Sequence, residues 1–195
     1  MNGIYSGLIK IGVMGSAGGE MDAEILERCT ELGRAIADAG CAILTGGCPG
    51  LPHAAVVGCK ERGGLTIGVS PALSIQEHIG RYNSPIENID VMIYTGSGLM
   101  GREIIGVRSC DIVIIAGGRS GTLGEFAIAY DEGRMIGVLT GTGGIADHIE
   151  EILEVIQKPT GSRMFFDDDP RRLIERSVAS YKADPPVICE RESGL

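Results

Sequence analysis

The sequence predicts a doubly wound α/β fold, with a mostly parallel sheet and helices on both of its faces. Two observations carry that prediction. Short β-branched runs alternate with stretches of helical period along the chain, the pattern of strands joined by crossover helices. Glycine clusters follow these runs, at Gly15-Ser16-Ala17-Gly18-Gly19, Gly46-Gly47-Cys48-Pro49-Gly50, Thr95-Gly96-Ser97-Gly98 and Gly117-Gly118. In such sheets ligands bind beyond the carboxyl ends of the strands, where strand order reverses, so four glycine-rich ends point to a site.

The strands expected in order are Leu8–Met14, Cys41–Thr45, Thr66–Ser70, Ile89–Thr95, Asp111–Ala116 and Met135–Leu139. Three carry the string Ile-Gly-Val, at Ile11, Ile67 and Ile136, but their flanks differ, so this is shared strand composition and not a repeat. The first helix places Ile25, Cys29, Leu32 and Ile36 on one stripe, with Gly40 to end it. Further helices are expected over Leu51–Glu61, Leu99–Ser109, Thr122–Glu132 and Asp147–Gln157. A last one starts after Asp169-Pro170, where Asp caps and Pro occupies the first turn. Pro71–Asn88 lacks periodicity and is expected to cross the mouth of the site as a loop or lid. No linker interrupts the chain, which predicts one domain over 1–183 and a polar, proline-containing tail over 184–195.

Composition narrows the partners. The 195 residues carry a net charge of −9, and no basic cluster exceeds Arg171-Arg172, which argues against nucleic acid and anionic membranes. Aromatics make up only 4%, too few for a base-stacking surface. Six cysteines form no C-x-x-C pair and have no histidine at zinc spacing, so no metal site is expected and the compartment reads as reducing. Neither a basic n-region with a long apolar stretch nor a membrane-length run is visible, and a cytoplasmic location is the expectation. His53, His78 and His148 offer neither a triad nor a metal arrangement.

Gly96-Ser97-Gly98-Leu99-Met100-Gly101 is formally a dinucleotide fingerprint. The acidic residue that would hold a ribose hydroxyl is missing from the end of the next strand, Ile115-Ala116-Gly117, which argues against NAD. Gly117-Gly118-Arg119-Ser120-Gly121-Thr122 joins an apolar strand to a helix. It is either a plain tight turn or a phosphate seat, in which free N–H groups, the helix dipole and the Thr122 hydroxyl hold an anion. Glu125, in the first turn, either complements that dipole or faces a pocket; Arg102 is either a solvated helix residue or a guanidinium aimed at phosphate or at Glu125.

The order of Arg102, Val107-Arg108-Ser109-Cys110-Asp111, a strand and then GGRSGTLGE resembles the LOG family, the cytokinin riboside 5′-monophosphate phosphoribohydrolases once labelled lysine decarboxylases. Arg102 and Glu125 stand 23 residues apart, as the family's catalytic Arg and Glu do. Gly46–Leu51, Gly63-Gly64 and Gly68-Val69-Ser70-Pro71 also resemble family segments. The resemblance implies a Rossmann-like fold, catalytic Arg102 and Glu125, and phosphate contacts from Gly118, Arg119, Ser120, Gly121 and Thr122. It further implies that Gly15, Ser16, Gly46, Gly47, Gly50, Thr95 and Gly96 bind the rest of a nucleoside monophosphate. It implies no resident cofactor, and a homo-oligomer, a dimer or dimer of dimers. Lysine decarboxylation is not expected, because none of Lys10, Lys60, Lys158 and Lys182 stands at a strand-end loop to carry a Schiff base.

The chain departs from the family motif in several places. Gly117 stands in place of Pro, Arg119 in place of Gly, Pro52 in place of Met, Gly124 in place of an acidic residue and Glu103 in place of Lys or Asn. It is thereby nearer a shorter prokaryotic branch of Rossmann-like nucleotide-binding proteins that is similar to the molybdenum cofactor carrier protein. The alternative to a hydrolase is then a nucleotide or molybdenum cofactor binding protein without turnover.

Overall fold

The computed structural model describes residues 7–186. Seven parallel strands form one sheet: β1 (Lys10–Gly15), β2 (Ala42–Thr45), β3 (Thr66–Ser70), β4 (Val91–Tyr94), β5 (Ile112–Ala116), β6 (Met135–Leu139) and β7 (Arg163–Asp167). Their order across the sheet is β4-β3-β2-β1-β5-β6-β7. The chain winds outward from β1 to β4, crosses back, and winds outward again from β5, so the reversal lies between β1 and β5. That is the crevice where a doubly wound sheet offers a ligand site.

The helices are α1 (Ala23–Asp38), α2 (Leu51–Glu61), α3 (Ile75–Gly80), α4 (Gly98–Arg108), α5 (Ser120–Asp131), α6 (Ile149–Ile156) and α7 (Pro170–Ala183), with a 3-10 turn at Gly144–His148 before α6. The α1 stripe is buried as expected for Cys29, Leu32 and Ile36, and Gly40 takes φ +70 just past the helix end. Asp22 caps α1 by accepting from Glu24 N–H at 2.7 Å, and Asp169 caps α7 by accepting from Arg172 N–H at 2.9 Å. No helix among the described residues is long and apolar enough to cross a membrane.

Alternate residues of the central strands enter two cores. Ile11, Val13, Ile43, Ile112 and Ile114 pack with α1, α2 and α7 side chains on one face. Met14, Leu44, Val113 and Ile115 pack on the other with Val107 of α4 and Phe126 of α5. Phe126 is fully buried, and such a side chain contributes on the order of 1.5–3 kcal/mol. Burying Phe126 and Ala129 fixes α5 against the sheet and aims its first turn at the crevice.

Two expectations change. The segment Arg163–Asp167 is a strand, β7, which pairs with β6 from Met135↔Arg163 to Leu139↔Asp167. The stretch Pro71–Asn88 is not simply a loop, for it holds α3, capped by Ser74 accepting from Glu77 N–H. His78 of α3 is fully buried and bonds Ser70 Oγ at 2.8 Å and the Pro85 carbonyl at 3.0 Å, so it anchors this segment to β3. From residue 187 on, the expected tail, 184–195, and Cys189 lie outside the described residues.

Candidate functional site

A cleft of about 390 Å³ opens at the carboxyl ends of β1 and β5. The loop after β1 brings Gly15 and Ser16, the loop after β2 brings Gly46 and Cys48, α4 brings Arg102 and Glu103, and α5 brings Ser120, Gly121, Thr122 and Glu125. Arg119 stands at the mouth, exposed, its guanidinium 3.5 Å from where a Cβ would sit on Gly18. It thus reaches over the cleft toward the loop after β1.

The first turn of α5 supplies the donors. Among the described residues none accepts from the N–H groups of Ser120, Gly121 or Thr122. Unpaired N–H groups at a helix start, with the positive end of its dipole behind them, make an anion seat. Thr122 is buried, and its side chain fills the space that a Cβ on Gly118 would need. Gly118 has φ +99, a conformation that side-chain-bearing residues rarely adopt. Gly117 has φ +59, which proline cannot reach, so this turn follows another path than the proline of the LOG motif would allow.

Arg102 and Glu125 meet at the floor. Arg102 is 9% exposed and Glu125 5%, with Arg102 Nη1 3.6 Å from Glu125 Oε1. Arg102 Nε is buried with no partner among the described residues. The guanidinium occupies the space beside Gly46 that any side chain there would take. Burial pushes the Glu125 carboxyl up to about 7, against the pull of Arg102 and with a further push from Glu103. Burial raises the Cys48 thiol as well, although Arg102 beside it acts in the other direction. A guanidinium with a free donor, a carboxyl that titrates near neutrality and a row of backbone donors share one cleft. That set can hold a phosphate and exchange a proton beside it.

The structure brings nine of the expected site residues to the cleft: Gly15, Ser16, Gly46, Arg102, Arg119, Ser120, Gly121, Thr122 and Glu125. Five do not line it. Gly118 lies just behind, its N–H donated to Ser16 Oγ at 2.7 Å and its carbonyl accepting from Ile145 N–H. Gly47 donates to Thr45 Oγ1, and Gly50 lets the start of α2 approach the Ser16 carbonyl, which accepts from Leu51 N–H at 2.9 Å. Thr95 and Gly96 follow β4 at the far edge of the sheet, bonded to Ser70 and Ala72 carbonyls. Cys48, Pro52, Leu99 and Glu103 also line the cleft and were not among the expected ligand contacts.

The chain is similar to several known proteins. Residues 8–174 match the SLOG cluster4 family. A protein of Archaeoglobus fulgidus is 33% identical over 132 residues, 68% of this chain and 80% of that one. The molybdenum cofactor binding protein of the phototrophic bacterium Rippkaea orientalis is similar in structure, with TM-score 0.73 and 29% identity over 90% of this chain and 98% of the other. The molybdenum cofactor carrier protein of Chlamydomonas reinhardtii has TM-score 0.71 and 29% identity over 90% of this chain and 99% of its own.

Proposed function

The chain belongs to the SLOG cluster4 family, and from that premise we propose that its cleft binds a phosphate-bearing small molecule, a nucleotide or the molybdenum cofactor, and holds it without turnover. The observation that carries this reading is the convergence of donors: the unpaired Ser120, Gly121 and Thr122 N–H groups and the Arg102 side chain line one cleft. Two structural relatives at 29% identity bind or carry the molybdenum cofactor, which supports carriage over hydrolysis. So do Gly117 and Arg119, which depart from the hydrolase motif inside the phosphate loop itself.

One observation favours a second reading. Glu125 titrates near 7 and lies close to Arg102, so it suits proton exchange during hydrolysis of a nucleoside 5′-monophosphate. Water would add at the sugar carbon, the N-glycosidic bond would break, and the base would leave with the bonding pair and a proton. Glu125 would stabilise the cationic sugar or take the proton of water, and Arg102 would steady the phosphate.

Incubation of the purified protein with a panel of nucleoside monophosphates, followed by chromatography, separates the two. Intact bound ligand, or a pterin recovered from freshly purified protein, supports the carrier. Free base and ribose 5-phosphate overturn it in favour of the hydrolase. We also infer that copies of the chain associate through α4, where Leu99, Met100, Ile104 and Ile105 are exposed. Light scattering reads this directly, and a monomer at high concentration would contradict it.

A further inference from the structure

The Glu103 carboxylate stands against the first turn of α5. Its Oε1 is 3.2 Å from where a Cβ would sit on Gly121, and its Oε2 is 3.5 Å from the same point on Gly124. Two residues without side chains give the carboxylate room beside the helix backbone. Among the described residues nothing donates a hydrogen bond to it. The charged groups that act on it are Arg102 on its own helix and Glu125 on α5.

Glu103 and Gly121 line the same cleft, so an anion seated on the Gly121 N–H shares that cleft with a carboxylate. A fully deprotonated anion is repelled by that carboxylate. An anion with an acidic hydrogen donates it, and repulsion becomes a charge-assisted hydrogen bond. Phosphate keeps such a hydrogen at neutral pH, and a phosphate monoester, with its second pKa about 6, acquires one readily. Sulfate and sulfate esters have none to give.

Resting on the phosphate reading of the cleft, we infer that Glu103 is a specificity residue that selects a phosphate carrying an acidic hydrogen over sulfate. The Gly121 and Thr122 N–H groups and Arg102 donate to the unprotonated oxygens, while Glu103 accepts from the protonated one. Burial raises the Glu103 pKa and Arg102 on the same helix opposes it, so the carboxylate remains the acceptor for that hydrogen. A phosphate monoester dianion then takes up one proton from solvent as it binds. No covalent bond changes.

The test is calorimetric titration of the wild-type protein with inorganic phosphate, sodium sulfate and AMP at matched ionic strength and neutral pH, repeated on Glu103→Gln. The wild type is expected to bind phosphate about tenfold or more tightly than sulfate, the ratio a hydrogen bond to a charged group supports. Glutamine keeps the shape and adds an N–H donor, so sulfate binding strengthens and the ratio falls to about threefold or less. Equal affinity for both anions in the wild type, or unchanged discrimination in Glu103→Gln, overturns the inference while AMP binding leaves the phosphate reading intact. If phosphate and AMP both fail to bind the wild type, the reading of the cleft falls, and the inference with it.

Discussion

Arg102 Nη1 lies 3.6 Å from Glu125 Oε1, beyond a short hydrogen-bonded ion pair, while both side chains are about nine-tenths buried or more. The guanidinium lowers the pKa of its neighbour only in part, burial prevails, and the Glu125 carboxyl is pushed up to about 7. The pair is thus left incompletely satisfied at the floor of a cleft whose other donors are also unpaired.

That imbalance has a cost that depends on pH. The folded Glu125 pKa, about 7, is above its ordinary 4.5. Below pH 4.5 the carboxyl is neutral in both states and there is no penalty. Between 4.5 and 7 only the unfolded chain ionises, so wild-type stability falls as pH rises; above 7 the loss is complete, about 3 kcal/mol at roughly 1.4 kcal/mol per pH unit. Glutamine carries no charge. Thermal unfolding is therefore expected to show Glu125→Gln close to wild type near pH 4.5 and several degrees more stable near pH 8. Equal melting temperatures at both pH values would contradict the burial argument.

Gly46 is the shelf on which Arg102 rests. A methyl group at that position collides with the guanidinium, and Gly46 has no positive φ to be strained by the change. Gly46→Ala is expected to displace Arg102 and to weaken phosphate binding about tenfold, like Arg102→Met, at a modest cost in stability. Titration with inorganic phosphate checks it. Wild-type affinity in Gly46→Ala would show that Arg102 does not hold the anion.

Gly118→Ala acts differently. It puts a side chain at φ +99 and drives a Cβ into the Thr122 side chain. The strain is expected to cost about 1–3 kcal/mol, and the displaced first turn of α5 to lose its anion. Denaturant unfolding measures the first effect and phosphate titration the second. A variant that keeps both stability and binding would contradict the stated role of the turn.

Ser16 holds the Gly118 N–H through its hydroxyl at 2.7 Å. Ser16→Ala leaves that donor unpaired, a cost of about 1–2 kcal/mol that an incoming anion can recover by accepting from it. Added phosphate is expected to raise the melting temperature more in Ser16→Ala than in wild type. An equal or smaller rise would place the anion away from this loop.

Much of this was legible in the sequence, for identifiable reasons. Thr66–Ser70 and Met135–Leu139 have the observed bounds because glycine and charged residues bracket short β-branched runs. The run Arg163–Asp167 hid as a strand because its ends are charged: Asp167 is held by Arg172 and Arg176, and the strand lies at the sheet edge. Ser74 and Glu77 spelled a helix start inside the apparent lid, but α3 is too short to show a period. The spacing of Arg102 and Glu125 indicated their meeting. Strand order is not legible in the sequence, so nothing there shows that one or more strands separate Thr95 and Gly96 from the other glycine loops. Gly118 gives its N–H to Ser16, a partner 102 residues away that spacing along the chain does not indicate.

The central claim is that the first turn of α5 and Arg102 seat a phosphate. The most direct measurement is a crystal structure of the protein grown with AMP. The account predicts the phosphoryl oxygens about 3 Å from the Gly121 and Thr122 nitrogens and within reach of the Arg102 guanidinium. Nucleotide bound elsewhere on the surface, with that turn unoccupied at saturating AMP, would contradict it.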